Sequence, residues 1–160
     1  MFINTCENTI MSTVHILFAD DDTDEIYLFN EAIEHSGLQI ILSNAKDGNT
    51  LLSFLMSQNL PDFVIIDINM PYKDGMEALV EIRSRQEFND LPLIIYSTAK
   101  NSKVIDDSYE KGANLFIVKP NNFDGMVQVL KKLCAIDWKA NLRPLREQFV
   151  LSEIISKDLA

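Results

Sequence analysis

The sequence predicts an α/β fold built around a doubly wound, five-stranded parallel sheet. Short apolar runs rich in β-branched residues alternate with amphipathic segments five times along the 160 residues. The apolar runs show no polar alternation, which is typical of strands that are buried on both faces of a parallel sheet. Because crossovers between parallel strands are right-handed, we expect the intervening helices to cover both faces of the sheet.

Each element has its own signal in the sequence. The apolar runs predict strands at residues 14–19, 38–42, 63–66, 93–96 and 115–118. Amphipathic periodicity predicts helices at 24–36, from 48 to the break at Pro61, and at 75–86, 101–111 and 122–136. The first helix has Asp22 or Thr23 as its cap and Gly37 as its end.

Composition and charge narrow the class of protein. The chain has 24 acidic and 14 basic residues, a formal net charge of −10, and a hydrophobic fraction of 47%, which is typical of a globular protein. The negative charge disfavours direct binding to nucleic acid or to an anionic membrane. The two cysteines, Cys6 and Cys134, do not predict a disulfide framework, and no apolar run approaches the ~20 residues of a membrane span. We therefore expect a cytoplasmic protein.

Polar side chains follow four of the predicted strands. Ligands of doubly wound sheets bind beyond the carboxyl ends of the strands, so we expect these side chains to lie close together. They are Asp20, Asp21 and Asp22 after the first strand, Asp67 after the third, Ser97 and Thr98 after the fourth, and Lys119 after the fifth.

This set of residue types suits phosphoryl chemistry. Neighbouring carboxylates repel each other unless a cation lies among them, and Mg²⁺ prefers oxygen ligands of this kind. A carboxylate that attacks an anionic phosphoryl group needs the same cation, with Lys119 as a second positive charge and the Ser97 hydroxyl as a hydrogen-bond partner. The sequence contains neither GxxxxGK[ST] nor GxGxxG, which disfavours a purine-nucleotide site.

Two alternatives remain for the acidic run. In an EF-hand calcium loop, Asp20, Asp22, Asp24 and Glu31 would be ligands, but Glu25 stands where the loop needs glycine. A small Mg²⁺-dependent phosphohydrolase of the haloacid dehalogenase type also uses an Asp nucleophile after its first strand. Its DxDx[TV] pattern would place Thr or Val at position 24, where this chain has aspartate. This phosphohydrolase is the alternative function.

Four motifs resemble the receiver domain of bacterial two-component response regulators. They are HILFADDD, DFVIIDINMPYKDGMEAL, LPLIIYSTA and GANLFIVKP, and the resemblance covers residues 13–136. It implies a flavodoxin-like (βα)5 fold. It also implies that Asp67 is the phosphoacceptor, and that Asp20, Asp21, Asp67 and the backbone carbonyl of Asn69 hold Mg²⁺ (or Mn²⁺).

The resemblance implies further roles. Lys119 and Ser97 would assist the transfer, and Ser97 and Phe116 would form a conformational switch. A sensor histidine kinase or a histidine phosphotransfer protein would donate the phosphoryl group to this stand-alone receiver. It would catalyse only its own phosphorylation and slow dephosphorylation, and would signal through contacts with a downstream protein or as a homodimer. Thr98 stands where a smaller residue is frequent, so it is a candidate gate that narrows access to Asp67.

Two segments lie outside the predicted domain. Residues 1–12 form an N-terminal extension that we expect to be poorly tied down or to make an accessory contact. Residues 137–160 form a C-terminal extension that we expect to be partly helical. The extension either packs on its own domain near the fifth helix, or covers the output surface or reaches a partner subunit. Its apolar residues include Trp138, Leu142, Leu145, Phe149, Val150 and Ile154. Pro144 suits the first turn of a helix, on which Leu145, Phe149 and Ile154 would form one apolar stripe.

Overall fold

The structure is a computed structural model that describes residues 12–57, 59–140 and 143–151. Its strands are β1 (Val14–Ala19), β2 (Ile40–Ala45), β3 (Phe63–Asp67), β4 (Leu93–Ser97), β5 (Leu115–Val118) and β6 (Val150–Leu151). Its α-helices are α1 (Thr23–Ser36), α2 (Gly48–Ser57), α3 (Gly75–Arg83), α4 (Ser102–Glu110) and α5 (Phe123–Ala135). None of the helices in these ranges combines the length and the apolarity that a membrane span requires. The predictions for residues 1–11, Leu142 and Ile154 lie outside the described residues.

The strands form one parallel sheet in the order β2-β1-β3-β4-β5-β6. The predicted doubly wound α/β class is therefore confirmed, whereas the predicted number of five strands is wrong. The sixth strand comes from the C-terminal extension and pairs Val150 with Phe116 and Leu151 with Ile117. A strand of two residues is too short to produce a periodic apolar pattern, so the sequence did not indicate it.

The core has two halves, one on each face of the sheet. On one face, α2, α3 and α4 cover a cluster that includes Leu51, Leu79 and Phe116. On the other face, α1 and α5 cover a cluster that includes Phe29 and Leu130. These residues are essentially inaccessible to solvent, and burial of each such side chain stabilises the fold by about 1.5–3 kcal/mol.

The ends of β2 differ from the prediction. The strand runs to Ala45 rather than stopping at residue 42, because the polar residue Asn44 belongs to it. The Asn44 side-chain amide donates hydrogen bonds to the carbonyl oxygens of Phe18, at 2.8 Å, and Asp20, at 3.2 Å. It therefore links the end of β1, where the predicted site residue Asp20 lies, to β2.

Helix α3 ends at Arg83 rather than at the predicted residue 86. The Arg83 side chain turns toward the loops that follow the helix. The guanidinium donates to the carbonyl oxygens of Phe88 at 2.8 Å and Gly112 at 2.8 Å, and to the side-chain oxygen of Asn114 at 2.6 Å. Burial lowers the pKa of Arg83 to about 10. These bonds join α3 to the loops that enter β4 and β5.

The C-terminal extension packs on both faces of the sheet. Trp138 lies against Phe63, with ring centroids 5.8 Å apart, on the face covered by α1 and α5. Phe149 is fully buried on the opposite face, whereas Leu145 is 60% exposed. The expectation of one apolar helical stripe through Leu145 and Phe149 is therefore wrong. The chain here forms a single 3-10 turn, Arg146–Gln148, followed by β6.

Candidate functional site

The structure brings the predicted site residues together at the carboxyl edge of the sheet. Asp20 directly follows β1, Asp67 and Ser97 are the last residues of β3 and β4, and Lys119 directly follows β5. The Lys119 backbone N–H donates to the carbonyl oxygen of Ser97 at 2.9 Å, which holds the ends of β4 and β5 side by side. The parallel register therefore places an amine beside two carboxylates and a hydroxyl.

Three carboxylates form a cluster that can hold a metal ion. Asp20, Asp21 and Asp67 each offer one oxygen, and these oxygens lie within 4.8 Å of one another. Asp20 is 0% exposed and Asp67 is 7% exposed, whereas Asp21 faces solvent. One Asp20 oxygen, Oδ1, accepts from the N–H of Asp22 at 2.9 Å, and Oδ2 accepts no hydrogen bond from the described residues. A buried carboxylate oxygen without a donor, next to two more carboxylates, fits a hard divalent cation.

Burial controls the charge of this cluster. Burial raises the pKa of Asp20 to about 6, and the nearby Asp67 carboxylate adds to that rise. Burial also raises the pKa of Asp67, against the opposing effect of Lys119. Even with Lys119 nearby, the ionised form of both carboxylates is therefore costly, and a divalent cation among them would reduce that cost.

Lys119 is the cation that the chain itself supplies. Its Nζ lies 3.7 Å from Asp20 Oδ2, 3.8 Å from Asp67 Oδ1 and 3.9 Å from Glu25 Oε1. The same Nζ lies 5.0 Å from the centroid of the Tyr96 ring, within cation–π range. Lys119 is thus shared among three carboxylates rather than committed to one.

Glu25 and Tyr96 were not predicted as site residues. Glu25 belongs to the first turn of α1, and Tyr96 is fully buried in β4 beside Ser97. The sequence did contain a signal for Tyr96, since a phenol interrupts an otherwise aliphatic strand immediately before a predicted site residue. Glu25 was obscured by the acidic run that precedes it.

The acidic run begins a helix and does not form a calcium loop. Asp22 is the N-cap of α1, and its carboxylate accepts from the N–H of Asp24 at 2.9 Å and of Glu25 at 3.4 Å. Since Asp22 caps a helix and Glu25 turns toward Lys119, the EF-hand alternative is wrong.

The remaining predicted residues lie at the same edge of the sheet. Ser97 is buried, and its Oγ accepts from the N–H of Ala99 at 3.1 Å. Asn69 is exposed, and its N–H lies 3.4 Å from Asp67 Oδ1. Thr98 is also exposed and lines a cavity of about 300 Å³ together with Glu25 and Lys119.

A glycine holds the Asp67 backbone in place. A Cβ at Gly75 would overlap the carbonyl oxygen of Asp67, so the start of α3 can approach the end of β3 only with glycine there. Asp74 caps the same helix in a reciprocal capping box with Glu77, with both hydrogen bonds at 2.9 Å. The Asp74-Gly75 pair therefore positions Asp67 through the backbone.

Phe116 is fully buried in β5. It lies opposite Ile95 of β4 on one side and Val150 of β6 on the other. Its ring lies 6.4 Å from the ring of Phe149, measured between centroids. The predicted switch residue therefore contacts the C-terminal extension.

Comparison with known proteins decides the family. The family model of the response regulator receiver domain matches residues 16–131 of the chain. The chain belongs to the response regulator receiver domain family. The resemblance in the four motifs is thereby confirmed, and the chain carries a receiver domain of two-component signalling.

Individual proteins of two-component signalling are similar to this chain. Response regulator Rcp1 from Synechocystis is 26% identical over 122 residues, which is 72% of this chain and 83% of Rcp1. The crystal structure of the phosphorylated cyanobacterial phytochrome response regulator RcpA is 28% identical with a TM-score of 0.69, and the match covers 76% of this chain and 91% of RcpA. A segment of the sensor kinase/phosphatase CqsS of Vibrio cholerae is 36% identical over 106 residues, which is 65% of this chain and 15% of CqsS.

Proposed function

We propose that the carboxylate of Asp67 accepts a phosphoryl group from a phosphohistidine on a sensor histidine kinase or a histidine phosphotransfer protein. The observation that carries this proposal is the position of Asp67, with its Oδ1 3.8 Å from Lys119 Nζ and within 4.8 Å of the Asp20 and Asp21 carboxylates. An anionic nucleophile can meet an anionic donor only where positive charge is concentrated. The kinase relative CqsS supports a donor of this class.

The proposed cofactor is Mg²⁺ or Mn²⁺. Asp20, Asp21, Asp67 and the backbone carbonyl of Asn69 would hold it, and it would supply the positive charge that stabilises the transferring phosphoryl oxygens. The buried, hydrogen-bond-deficient oxygen of Asp20 supports this assignment. So does the Mn²⁺-bound crystal structure of Rcp1, which has the same fold, with a TM-score of 0.68 at 24% identity over 82% of this chain and 99% of Rcp1.

In the proposed transfer, a carboxylate oxygen of Asp67 attacks phosphorus and a P–O bond forms. The P–N bond to the donor imidazole breaks, and its electron pair returns to the ring nitrogen. Lys119 stabilises the negative charge on the phosphoryl oxygens, and the Ser97 hydroxyl donates a hydrogen bond to one of them. In slow self-dephosphorylation, water attacks phosphorus and the bond between phosphorus and the Asp67 oxygen breaks. Inorganic phosphate leaves, and Asp67 is again a carboxylate.

The donor would reach Asp67 past Thr98. Thr98 is exposed and lines the cavity of about 300 Å³ together with Glu25 and with Lys119, whose Nζ lies 3.8 Å from Asp67 Oδ1. We propose that its side chain narrows this approach, so that Thr98→Ala raises the rate of transfer from a protein donor more than the rate from acetyl phosphate.

Once phosphorylated, the protein would act through contacts with other proteins.

Phosphorylation with acetyl phosphate tests the function. In the presence of Mg²⁺, the intact protein should gain the mass of one phosphoryl group, and chelation of the metal should prevent this gain. Asp67→Asn should gain none, because an amide is a poor nucleophile. Asp22→Asn is the matched control, since asparagine also caps a helix and residue 22 is exposed.

Two outcomes would count against the proposal. Undiminished phosphorylation of the Asp67→Asn variant would place the acceptor elsewhere. Many turnovers of a small phosphate ester, with no phosphorylated protein accumulating, would instead favour the phosphohydrolase.

A further inference from the structure

The C-terminal extension docks on the edge of β5 through a defined segment. We call residues 144–151 the tail segment. The backbone N–H of Phe116 donates to the carbonyl oxygen of Phe149 at 2.8 Å, and β6 continues the pairing past this point. The predicted switch residue is thus hydrogen bonded, through its own backbone, to the tail segment.

Phe149 anchors the tail segment. Its side chain is 0% exposed and lies against two aromatic rings, with centroid distances of 5.0 Å to Tyr109 of α4 and 6.4 Å to Phe116. Phe149 therefore covers the Phe116 ring from the side of α4. This contact explains why Phe116 is inaccessible to solvent even at the edge of the five-stranded part of the sheet.

Polar contacts from α4 complete the docking. Arg146 donates to Asp106 Oδ1 from Nε at 2.7 Å and from Nη2 at 2.5 Å, and the Tyr109 hydroxyl donates to the carbonyl oxygen of Pro144 at 3.2 Å. The Arg143 guanidinium lies 5.1 Å from the centroid of the Tyr109 ring. The Arg146–Asp106 pair is about half exposed, and such pairs are individually weak. The tail segment is therefore held by one buried ring, a two-residue strand and weak surface contacts. We expect a small rearrangement of the core beneath Phe149 to be sufficient to release it.

The geometry of β4 and β5 connects this docking to Asp67. Ile95 is the register partner of Phe116, and Ser97 lies two residues beyond Ile95, so Ser97 and Phe116 face the same side of the sheet. The switch role that the resemblance implies for Ser97 and Phe116 requires the Ser97 hydroxyl to turn toward a phosphoryl group on Asp67, which would open space beside Phe116. A ring that moves into this space withdraws from Phe149.

We propose that Phe149 is a positioning residue of the switch, and that the docked tail segment holds Phe116 in the unphosphorylated arrangement and is released when Asp67 is phosphorylated. This proposal rests on the proposed function, because it needs a phosphoryl group on Asp67. Coupling between two sites is reciprocal in free energy, so a tail segment that is released by phosphorylation also opposes phosphorylation, and weaker docking should favour the phosphorylated form.

Amide hydrogen exchange of the full chain tests the first half of the proposal. The readout is the Phe116 N–H, which the tail segment protects, and intact mass reports phosphorylation in the same sample. With acetyl phosphate and Mg²⁺, we expect exchange at Phe116 to accelerate about tenfold or more, within the usual range of coupling between sites. Phosphorylation without any change at Phe116 would overturn the inference while leaving the proposed function intact. Absence of phosphorylation would instead overturn the proposed function, and the inference with it.

Charge reversal tests the reciprocal half. Arg146→Asp or Asp106→Arg alone should weaken docking and raise the phosphorylated fraction at a fixed acetyl phosphate concentration, and the double variant should return it toward the wild-type value. Phe149→Ala should raise it further. If Phe149→Ala does not fold, the exposed charge pair still decides the question. Variants that are less stable but have an unchanged phosphorylated fraction would show that the tail segment is merely structural.

Discussion

The Lys119 ammonium lies 3.8 Å from Oδ1 of Asp67, and this pair sits at the centre of a site that is otherwise acidic. Lys119 is 17% exposed, so its charge is only partly screened by water. It is shared with Asp20 and Glu25 at similar distances. In the absence of metal, Lys119 is the cation that keeps these carboxylates compatible with the fold.

Replacing Lys119 with methionine should destabilise the metal-free protein. The change leaves buried carboxylates without their cation, and we expect a loss of about 1–3 kcal/mol in the free energy of unfolding. Mg²⁺ should recover part of this loss, while phosphorylation by acetyl phosphate should remain slow. Urea unfolding with Mg²⁺ and with chelator measures both effects. Lys103→Met, on the exposed side of α4, is the control and should change neither.

The raised pKa of Asp20 predicts a pH dependence of stability. Between about pH 4 and pH 6 the folded protein binds more protons at Asp20 than the unfolded chain does, so the free energy of unfolding falls as the pH rises through this window. The fall should amount to about 2–3 kcal/mol in the presence of chelator. Mg²⁺ would bind the ionised carboxylates, so we expect it to restore stability above pH 6.

Asp20→Asn isolates this effect. The variant should be more stable than the wild type at pH 7 without metal, should lack the Asp20 contribution to the pH slope, and should respond only weakly to Mg²⁺. Urea unfolding at pH 4.5 and pH 7 measures these differences. Asp22→Asn should keep the wild-type slope, and an Asp20→Asn variant that keeps it as well would contradict the prediction.

Gly75→Ala should slow phosphorylation of Asp67 as well as destabilise the fold. The added methyl group must displace the Asp67 carbonyl, at a cost of about 1–3 kcal/mol, and should slow phosphorylation because the Asp67 side chain moves with its backbone. Gly37→Ala is the matched control, with a φ of 70° and open space around the site of its Cβ. It should cost about 1–2 kcal/mol through backbone strain alone and leave the phosphorylation rate unchanged. Equal phosphorylation rates for the two variants would refute the positioning role of Gly75.

Ser97→Ala should separate phosphorylation from its conformational consequence. Asp67 keeps its surroundings, so the variant should still accept a phosphoryl group from acetyl phosphate. Without the hydroxyl, nothing moves away from Phe116, and the exchange of its N–H should not respond to phosphorylation. A response as large as in the wild type would show that Ser97 is not the switch residue.

The sequence predicted those parts of the site that lie at strand ends. Asp20, Asp67, Ser97 and Lys119 follow apolar runs, and the topology of a parallel sheet is sufficient to bring such positions together. It did not predict Glu25 or Tyr96, because their distances to Lys119 depend on where α1 lies over the sheet and on the pairing of β4 with β5. A pattern along the chain carries no information about such packing between elements.

The same limit explains the errors in the fold. Asparagine is typical of loops, so the sequence predicted that β2 ends at residue 42. In the structure the Asn44 side-chain amide donates a hydrogen bond to the end of β1, and Asn44 belongs to β2. The tail segment was interpreted as helical because Pro144 suits a helix start and apolar residues follow it. Its conformation is decided instead by the open edge of β5 and by Phe149, both of which are tertiary features.

The position of β6 at the edge of the sheet has a consequence whenever the tail segment is undocked. Without the tail segment, β5 is the outer strand of the sheet, and the Phe116 N–H has lost the Phe149 carbonyl as its acceptor. An outer strand with free backbone groups is a template for pairing with another chain. We expect substitutions that weaken the tail segment to accelerate this local opening, so their cost would be aggregation through the β5 edge.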